Sequence, residues 1–308
     1  MDLKVFLEGS IMQKGRAVCL GGVPVDNLVS PFDATVVTKL RDSGASLVDD
    51  IVRNIAGSEM TVAVNSVATG EVDVVLCNDF SGVISQAAAK SGLYYIHPTY
   101  GTVSRYGLVP MASSMDQIGV ICKSREDGFR VLDIIRGFDC KDGAMHSEKE
   151  QNRRVNDINP DNIRVKEMKP EYSDVLQQIM QILSCAEISA NSGRYDGIKF
   201  GHRAKTYKNL EKLYKNSRAE MLNSDIKLAV ILGTMVLSQE NYEKYYDKAL
   251  RLRRLLRDSI DFEDCDVLRI TNEYAAVSRL CGLPSVTVED NTYMAKPLCE
   301  NVLAKINR

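Results

Sequence analysis

The sequence lacks the features that define several protein classes. No apolar run approaches the roughly 18 residues that a transmembrane helix requires, and the first residues lack the long apolar segment of a signal peptide. The nucleotide-binding patterns G-x-x-x-x-G-K-S/T and G-x-G-x-x-G are absent. A net charge of -2 and a pI near 6.0 provide no overall attraction for nucleic acid or anionic lipid. We therefore expect a cytoplasmic protein that does not span a membrane and uses neither ATP nor NAD.

Metal-binding patterns are also missing. The eight cysteines contain no C-x-x-C pair, and none of the three histidines has a second histidine at the i, i+4 spacing of a helical metal site. We therefore expect no metal, no cofactor and no disulfide framework. The cysteines are expected to be reduced and to act as small core residues.

What is present is the composition and patterning of an α/β protein. The chain has 308 residues, of which 44% are hydrophobic and 26% are charged, as in ordinary globular proteins. In the first half, short apolar runs alternate with helical patterns. They predict strands at 4–7, 17–20, 46–48, 72–77, 94–96 and 118–122, and helices at 33–43 and 125–136. Ser124 is the expected N-cap of the second helix, with Asp127 at its third position.

The second half is mostly helical. A polar loop at 140–160 precedes a strand at 163–167, a helix at 173–183, helices throughout 209–260, a strand at 267–270, a helix at 272–280, a strand at 285–288 and a helix at 297–306. We predict one domain, 1–308, in which 1–150 and 151–308 are two halves. An arginine-rich segment at 250–257 fits a solvated helix face better than an RNA-binding stripe.

Several blocks of sequence resemble the amidase signature family. Residues 96–107, I-H-P-T-Y-G-T-V-S-R-Y-G, are similar to K-P-T-Y-G-R-V-S-R-Y-G in that family, and 108–119 continue the match through A-S-S-x-D-Q-I-G. Further similar blocks are 31–45, 186–203 (with R-Y-D-G), 232–253 and 271–288, the last around the family pattern N-L-A-G-L-P-A-I-S-V. The most similar branch of the family is the A subunit of the glutamyl-tRNA(Gln) or aspartyl-tRNA(Asn) amidotransferase.

The resemblance implies a mixed β-sheet core flanked by helices, in a chain shorter than its relatives. Most of the segment that joins the first helix to the glycine/serine loop is missing, as is much of the loop between 260 and 267. In such a fold both halves of the chain belong to one amidase-like domain. The first half would carry the catalytic positions, and the second half would be helical with returning strands.

The same resemblance implies a Ser–Ser–Lys catalytic triad whose three positions are altered here. The family nucleophile stands in G-S-D-T-G-G-S-I-R-Q, and the corresponding run C-N-D-F-S-G-V-I-S-Q places Val83 there. The bridging serine corresponds to Glu59 and the lysine to Glu8. Hydroxyls remain nearby at Ser81 and at Ser85, the residue after the isoleucine, and these are weak substitutes. The turn also gains Phe80, which we expect to damage the oxyanion pocket.

Two interpretations of the acidic replacements stay open. Glu8 and Glu59 could form a carboxylate pair for acid–base or metal chemistry, which would require a cation or a shared proton. The alternative, which we favour, is that both side chains are exposed to solvent because the surrounding loops are shorter.

Arg218 corresponds to an arginine that helps to bind glutamine in the family. The G-F-G sequence that shapes that loop is absent, so a plain helix-surface arginine is equally consistent. In the retained R-Y-D-G turn, Gly197 is expected to supply a left-handed backbone.

Two functions follow from the resemblance. The first is a degenerate, non-catalytic homologue of the amidotransferase A subunit, a pseudoenzyme that acts, if at all, by binding a B-like subunit without contacting tRNA directly. An eroding gene copy without function is a variant of this hypothesis. The second is an active glutamine amidohydrolase subunit in translation, or a small amidase, that uses substitute residues.

Overall fold

The computed structural model describes residues 3–20, 23–48, 59–152 and 163–306. Eleven strands lie in these ranges: β1 (Lys4–Leu7), β2 (Ala17–Leu20), β3 (Val23–Val29), β4 (Ser46–Val48), β5 (Val74–Asn78), β6 (Tyr94–His97), β7 (Ile118–Cys122), β8 (Val165–Glu167), β9 (Val267–Thr271), β10 (Ser285–Val288) and β11 (Asn291–Ala295).

The α-helices in the same ranges are α1 (Thr35–Asp42), α2 (Glu59–Ala68), α3 (Val83–Lys90), α4 (Arg125–Ile135), α5 (Glu148–Asn152), α6 (Leu176–Ser192), α7 (Leu210–Met221), α8 (Ser224–Val236), α9 (Lys248–Asp258), α10 (Ala276–Cys281) and α11 (Glu300–Leu303). Short 3₁₀ turns at Ser173–Val175 and Asn272–Tyr274 and a π-helix at Tyr242–Asp247 complete them. The predicted α/β class is confirmed.

Nine of these strands form one mixed sheet that both halves of the chain build. Its order is β4-β1-β5-β7-β6-β10-β11-β9-β8, and β2 pairs with β3 separately. Strands β4, β1 and β5 are parallel, whereas β7 runs antiparallel to β5 and β6. The carboxyl ends of β1, β5 and β6 therefore lie at the same edge of the sheet.

Helices cover both faces of the sheet, and this explains why β5 is apolar from Val74 to Cys77. Val74 and Leu76 belong to a core cluster with α1 and α4, while Val75 and Cys77 belong to a second cluster with α2 and α3. Because successive side chains of a strand point to opposite faces, a strand covered on both sides is apolar on both faces.

Several local predictions are confirmed in detail. The Ser124 hydroxyl caps α4 by accepting a hydrogen bond from the backbone N–H of Asp127 at 3.3 Å. Ala34, Val37 and Leu40 are buried together beneath α1. All eight cysteines are free thiols, but only four of them are fully buried core residues (Cys77, Cys122, Cys265 and Cys299), and the expectation is wrong for Cys140, which is exposed. Within the described ranges, none of the helices is long and apolar enough to cross a bilayer.

Other predictions were wrong at the ends of elements or missed an element. Strands β3 and β11 were not predicted, α5 lies inside the predicted loop 140–160, and α6 continues nine residues beyond the predicted end. The predicted helix 297–306 shrinks to α11. Leu298 has a left-handed backbone, and its N–H donates to the Thr99 hydroxyl at 2.8 Å, so the chain is not helical where that helix would begin.

Helices α6 and α8 pack unusually closely, and a glycine makes this possible. A Cβ atom added to Gly233 of α8 would lie 2.0 Å from the backbone oxygen of Cys185 and 2.6 Å from the Cβ of Ser189, both on α6. A backbone obstacle cannot rotate away, so any side chain at this position forces the two helices apart.

We predict that Gly233→Ala destabilises the protein by about 1–3 kcal/mol, the usual cost of overpacking, although alanine has the higher helix propensity. Urea-induced unfolding measures this change. The matched control is Gly143→Ala, since a Cβ there meets nothing within 4 Å, and its effect should stay within about 0.5 kcal/mol. A stabilising Gly233→Ala change would show that the close helix contact is absent.

Candidate functional site

The positions singled out by sequence gather at the edge where β1 and β5 end. Leu7 of β1 is paired in register with Leu76 of β5, so Glu8 lies beside Cys77 at the start of the next turn. The turn 79–82 follows β5 and leads directly into α3, whose first residue is Val83. The family register and the fold thus place Glu8 and Val83 on neighbouring segments of one sheet edge.

Asp79 organises the start of α3. Its carboxylate accepts hydrogen bonds from the backbone N–H groups of Ile84 at 3.0 Å and Ser85 at 2.8 Å, which would otherwise lack helical partners. Gly82 has a left-handed backbone with φ of +83°, which turns the chain into the helix. Val83 is 52% exposed, so a hydrocarbon group faces solvent at the position where the sequence resemblance predicts the family's nucleophile.

Arg279, on α10, completes this cluster from about two hundred residues away. Its Nη2 donates to Asp79 Oδ2 at 2.6 Å and to Ser85 Oγ at 2.7 Å, while its Nε donates to the Asp79 backbone oxygen at 2.7 Å. Nη1 donates to the Ala275 backbone oxygen at 3.3 Å. The guanidinium also lies 5.6 Å from the centre of the Tyr95 ring.

Both members of this ion pair are completely buried. Removing two charges from water costs several kcal/mol per ion, and their attraction offsets that cost only when the remaining donors and acceptors are also satisfied. Here every guanidinium nitrogen has an acceptor, and both carboxylate oxygens have donors. The cluster, which we call the Asp79–Arg279 cluster, therefore holds the turn, α3 and α10 together.

The two substitute hydroxyls differ in their surroundings. Ser85 is buried inside the Asp79–Arg279 cluster, where its hydroxyl donates to the Gly82 backbone oxygen at 3.0 Å and accepts from Arg279. A guanidinium stays protonated in proteins and cannot accept the serine proton. Ser81 lies exposed on the turn before Gly82.

The expectation that Glu8 is exposed to solvent is wrong. Glu8 is buried, and its carboxylate accepts hydrogen bonds from both the backbone N–H and the hydroxyl of Ser10. The tight turn after β1 brings these donors to the carboxylate, so the side chain folds inward.

The Glu59 side chain lies outside the described residues, and no carboxylate pair is assigned. Among the described residues, no cluster of three or more His, Cys, Asp or Glu side chains is arranged to hold a metal ion.

Neighbouring groups at this edge are held uncharged. Burial, followed by the negative charges of Asp79 and Glu8, raises the pKa of the Cys77 thiol well above its ordinary value. Burial, followed by the positive charge of Arg279, lowers the pKa of His97 well below its ordinary value. A thiolate nucleophile at Cys77 is disfavoured by these surroundings.

Arg218 is not a plain surface arginine, because its guanidinium group is bonded to backbone oxygens of a neighbouring turn. Its Nε donates to the Tyr195 backbone oxygen at 3.2 Å, and its Nη2 donates to the Gly193 backbone oxygen at 2.8 Å. The Gly193 carbonyl directly precedes the R-Y-D-G turn and the Tyr195 carbonyl lies within it, and Gly197 of this turn has the expected left-handed φ of +73°. Arg218 therefore stabilises this turn.

The arginine-rich helix α9 uses its arginines in different ways. Arg253 is partly buried and donates to the backbone oxygens of Leu280 and Ser114, whereas Arg251 forms an exposed ion pair with Asp247, four residues earlier. Together with Arg254 and Arg257, Arg253 lines a groove of about 630 Å³. The altered catalytic positions and the two substitute serines are not among the residues that line this groove.

Comparison with known proteins agrees with the motifs. A family model described as Amidase matches residues 64–165 and 148–276. The A subunit of a glutamyl-tRNA(Gln) amidotransferase from Neisseria meningitidis serogroup A is 32% identical, over 91% of this chain and 70% of the relative. The chain belongs to the amidase family. The predicted membership is confirmed, and the chain matches its relatives over about 70% of their length.

Solved structures of amidase-family proteins share the fold. The A subunit of the glutamyl-tRNA(Gln) amidotransferase from Thermotoga maritima has a TM-score of 0.73 at 20% identity, over 99% of this chain and 81% of that chain. A peptide amidase from Stenotrophomonas maltophilia has a TM-score of 0.72 at 19% identity, over 98% of this chain and 80% of that chain.

Sequence reasoning missed Arg279, although two signals were available. The family pattern has arginine in I-R-Q where this chain has Ser85, and asparagine at the start of N-L-A-G-L-P where this chain has Arg279. An arginine inside the apolar run A-A-V-S-R-L-C-G-L is also unusual, because a buried cation requires a partner. In this structure the buried cation that bonds to Asp79 and Ser85 comes from α10.

We predict that Arg279→Met destabilises the protein by about 3–5 kcal/mol, because it leaves the Asp79 carboxylate buried without a cation. Urea-induced unfolding measures the loss. The control Arg251→Met removes an exposed ion pair and should cost at most about 1 kcal/mol. Equal effects of the two substitutions would contradict the stabilising role of the Asp79–Arg279 cluster.

A second experiment moves the arginine from position 279 to position 85. Arg279→Asn alone should destabilise the protein, and adding Ser85→Arg should recover at least half of the lost stability, since the arginine then sits where the family pattern has it. Ser85→Arg in the presence of Arg279 places two cations in one buried cluster and should be destabilising. If the double variant is no more stable than Arg279→Asn, the two positions do not exchange roles.

Proposed function

We propose that this protein is a degenerate homologue of the amidotransferase A subunit, a pseudoenzyme that does not hydrolyse amides and acts by binding a partner protein. The observation that carries the proposal is the exposed Val83 side chain at the first position of α3, where the family pattern has its nucleophilic serine. An isopropyl group has no lone pair with which to attack a carbonyl carbon.

The magnitude of the loss supports this interpretation. Removing a catalytic triad that acts as a unit typically lowers the rate by about 10⁶, or roughly 8 kcal/mol of activation free energy. Remaining binding interactions cannot replace a missing covalent step of that size.

The proton-transfer position is altered as well. Glu8 takes the place of the lysine that the family uses, and its buried carboxylate is engaged by the N–H and hydroxyl of Ser10. A carboxylate in these contacts carries the opposite charge to a protonated lysine. This replacement supports the proposal that the family's Ser–Ser–Lys relay is not retained.

The turn before α3 differs from the family pattern as well. The backbone N–H groups of Ile84 and Ser85, which follow this turn, donate to the Asp79 carboxylate. Ser81 stands where the family pattern has a glycine. Phe80 replaces a threonine of the family pattern, and its ring packs against two core clusters.

Without amide hydrolysis, the function that we propose is binding to a partner protein. The relatives are named as the A subunit of a glutamyl-tRNA(Gln) amidotransferase, a name that denotes one part of an assembly. We propose that the partner is a B-like amidotransferase subunit, in the cytoplasm and in the context of translation. With a net charge of -2, the chain itself is not expected to contact tRNA.

We predict that the purified protein releases no ammonia from glutamine or asparagine above the buffer rate, because both nucleophile and base are missing. A coupled glutamate dehydrogenase assay measures the release, and a catalytically active A subunit serves for the positive control. Val83→Ser should remain inactive, since a serine there still lacks a base.

The opposite outcome identifies the alternative function. Ammonia release that disappears in Ser81→Ala or Ser85→Ala would establish an active amidase with a substitute nucleophile and would overturn the proposal. Gly143→Ala is the matched control, because it lies outside the sheet edge and meets no neighbouring atom.

We also predict that the protein co-elutes with the B subunit of a glutamyl-tRNA(Gln) amidotransferase when the two are co-expressed. Size-exclusion chromatography with light scattering measures the mass of the complex. The positive control is a catalytically active A subunit co-expressed with the same B subunit. Separate elution of this protein, when the control pair elutes together, would contradict a B-like partner.

A further inference from the structure

The groove beside α9 carries an excess of positive charge. Arg253, Arg254 and Arg257 line it, and its volume is about 630 Å³. Among the described residues that line this groove, none is an aspartate or a glutamate. The whole chain has 39 lysines and arginines against 41 acidic residues, so the excess is local and does not follow from the composition. We call this site the arginine groove.

The three arginines lie close together on one face of α9. Arg257 follows Arg254 by three residues and Arg253 by four. At these spacings helical side chains are neighbours, with Cβ atoms about 5–6 Å apart, and like charges destabilise the helix. The repulsion is unfavourable in the free protein, and a bound anion would remove it.

The charges of α9 are balanced to different degrees. Arg251 forms an ion pair with Asp247 at 2.7 Å. Arg254 lies 3.6 Å from Asp258, a longer pair in which both side chains are exposed. Arg257 forms no ion pair with any described residue. The cations that face the groove are therefore the less well neutralised ones of the helix.

Arg253 brings a partly buried cation to the wall of the groove. Its guanidinium donates to the Leu280 backbone oxygen at 2.6 Å, to Ser114 Oγ at 2.7 Å and to the Ser114 backbone oxygen at 3.0 Å, all of which are uncharged acceptors. Burial, together with the positive charge of Arg257, lowers the pKa of Arg253, although the negative charge of Glu187 opposes this shift. Further N–H donors of the guanidinium group remain for a ligand.

Apolar groups and backbone form part of the remaining wall. Leu280, Gly282 and Pro297 line the groove together with Tyr100. A Cβ atom added to Gly282 would lie 3.1 Å from the Cβ of Tyr100, so this part of the wall is closely packed. Walls of low dielectric constant strengthen the field of the cations inside a cleft. A preformed site also loses less conformational freedom when a ligand binds.

This arrangement favours a small ligand with several negative charges. Guanidinium groups match the oxygens of a phosphate with paired N–H donors. A single carboxylate would neutralise only one of the three cations, whereas linked phosphoryl groups carry enough charge for all of them. The volume falls within the range of about 300–1,000 Å³ that is usual for small-molecule sites.

A long nucleic acid fits the same observations less well. Its affinity depends on the number of phosphates that the protein neutralises, and three arginines neutralise few. The net charge of -2 also gives the rest of the chain no overall attraction for an extended polyanion.

We propose that the arginine groove binds the oligophosphate group of a small molecule, with Arg254 and Arg257 as the main contacts and Arg253 at the wall. The proposal depends neither on the absence of amide hydrolysis nor on a B-like partner.

Equilibrium dialysis of the full chain against radiolabelled inorganic pyrophosphate, at low salt and without divalent cations, tests the proposal. We expect a dissociation constant of about 10–500 µM. Arg257→Gln and Arg254→Gln should each raise it at least about tenfold, because each removes charge-assisted hydrogen bonds. The matched control is Arg251→Gln on the same helix, whose arginine pairs with Asp247. It should leave the constant unchanged, and far-ultraviolet circular dichroism checks that all three variants are folded.

Competing ligands identify the chemistry of the site. Unlabelled inorganic phosphate should displace pyrophosphate only at higher concentrations, since it carries fewer charges, and acetate should not displace it. No binding at about 1 mM pyrophosphate, an equal loss in Arg251→Gln and Arg257→Gln, or equally strong competition by acetate would each overturn the proposal. A single-stranded RNA oligonucleotide, followed by fluorescence anisotropy, tests the other source of phosphate. Arg257-dependent binding of RNA without binding of pyrophosphate would overturn the proposal in favour of a nucleic-acid ligand.

Discussion

The buried ion pair between Asp79 and Arg279 is the interaction on which the sheet edge depends. One carboxylate both pairs with the cation and accepts the first helical N–H groups of α3, so the turn and the helix cannot be positioned without it. The guanidinium also binds the backbone oxygens of Asp79 and Ala275. Removing either partner would leave a full charge in the core, which links the turn, α3 and α10 in one unit.

The turn before α3 keeps a glycine of the family pattern but not its serine. Gly82 keeps a left-handed backbone, and α3 begins where the family pattern places its nucleophile, yet the side chain there is a valine. At position 8, where the family pattern has lysine, the Glu8 carboxylate accepts hydrogen bonds from Ser10 in the turn after β1. Among the described residues of this edge, Asp79, Ser85 and Arg279 satisfy one another's hydrogen bonds in the core, and Glu8 is bonded to Ser10.

The sequence predicted those features that depend on residues close together in the chain better than those that depend on contacts between distant residues. The Ser124 cap, the α1 face and the left-handed Gly197 follow from neighbouring residues, and they are confirmed. The family and its mixed sheet followed from long motifs. Strand β3 was missed because Pro24 interrupts its pattern, and the burial of Glu8 depends on a turn that motif alignment does not describe. Arg279 was missed because its partner is two hundred positions away.

The completeness of the Asp79–Arg279 cluster bears on the variant of our proposal in which this chain is an eroding copy. A chain with arginine at neither 85 nor 279 would leave Asp79 buried without a cation, whereas arginine at both positions would crowd two cations around one carboxylate. Ser85 combined with Arg279 avoids both conditions and gives a neutral, fully bonded cluster. Random drift removes stabilising contacts more easily than it builds them. The intact cluster therefore fits the proposed partner-binding homologue better than it fits an eroding copy.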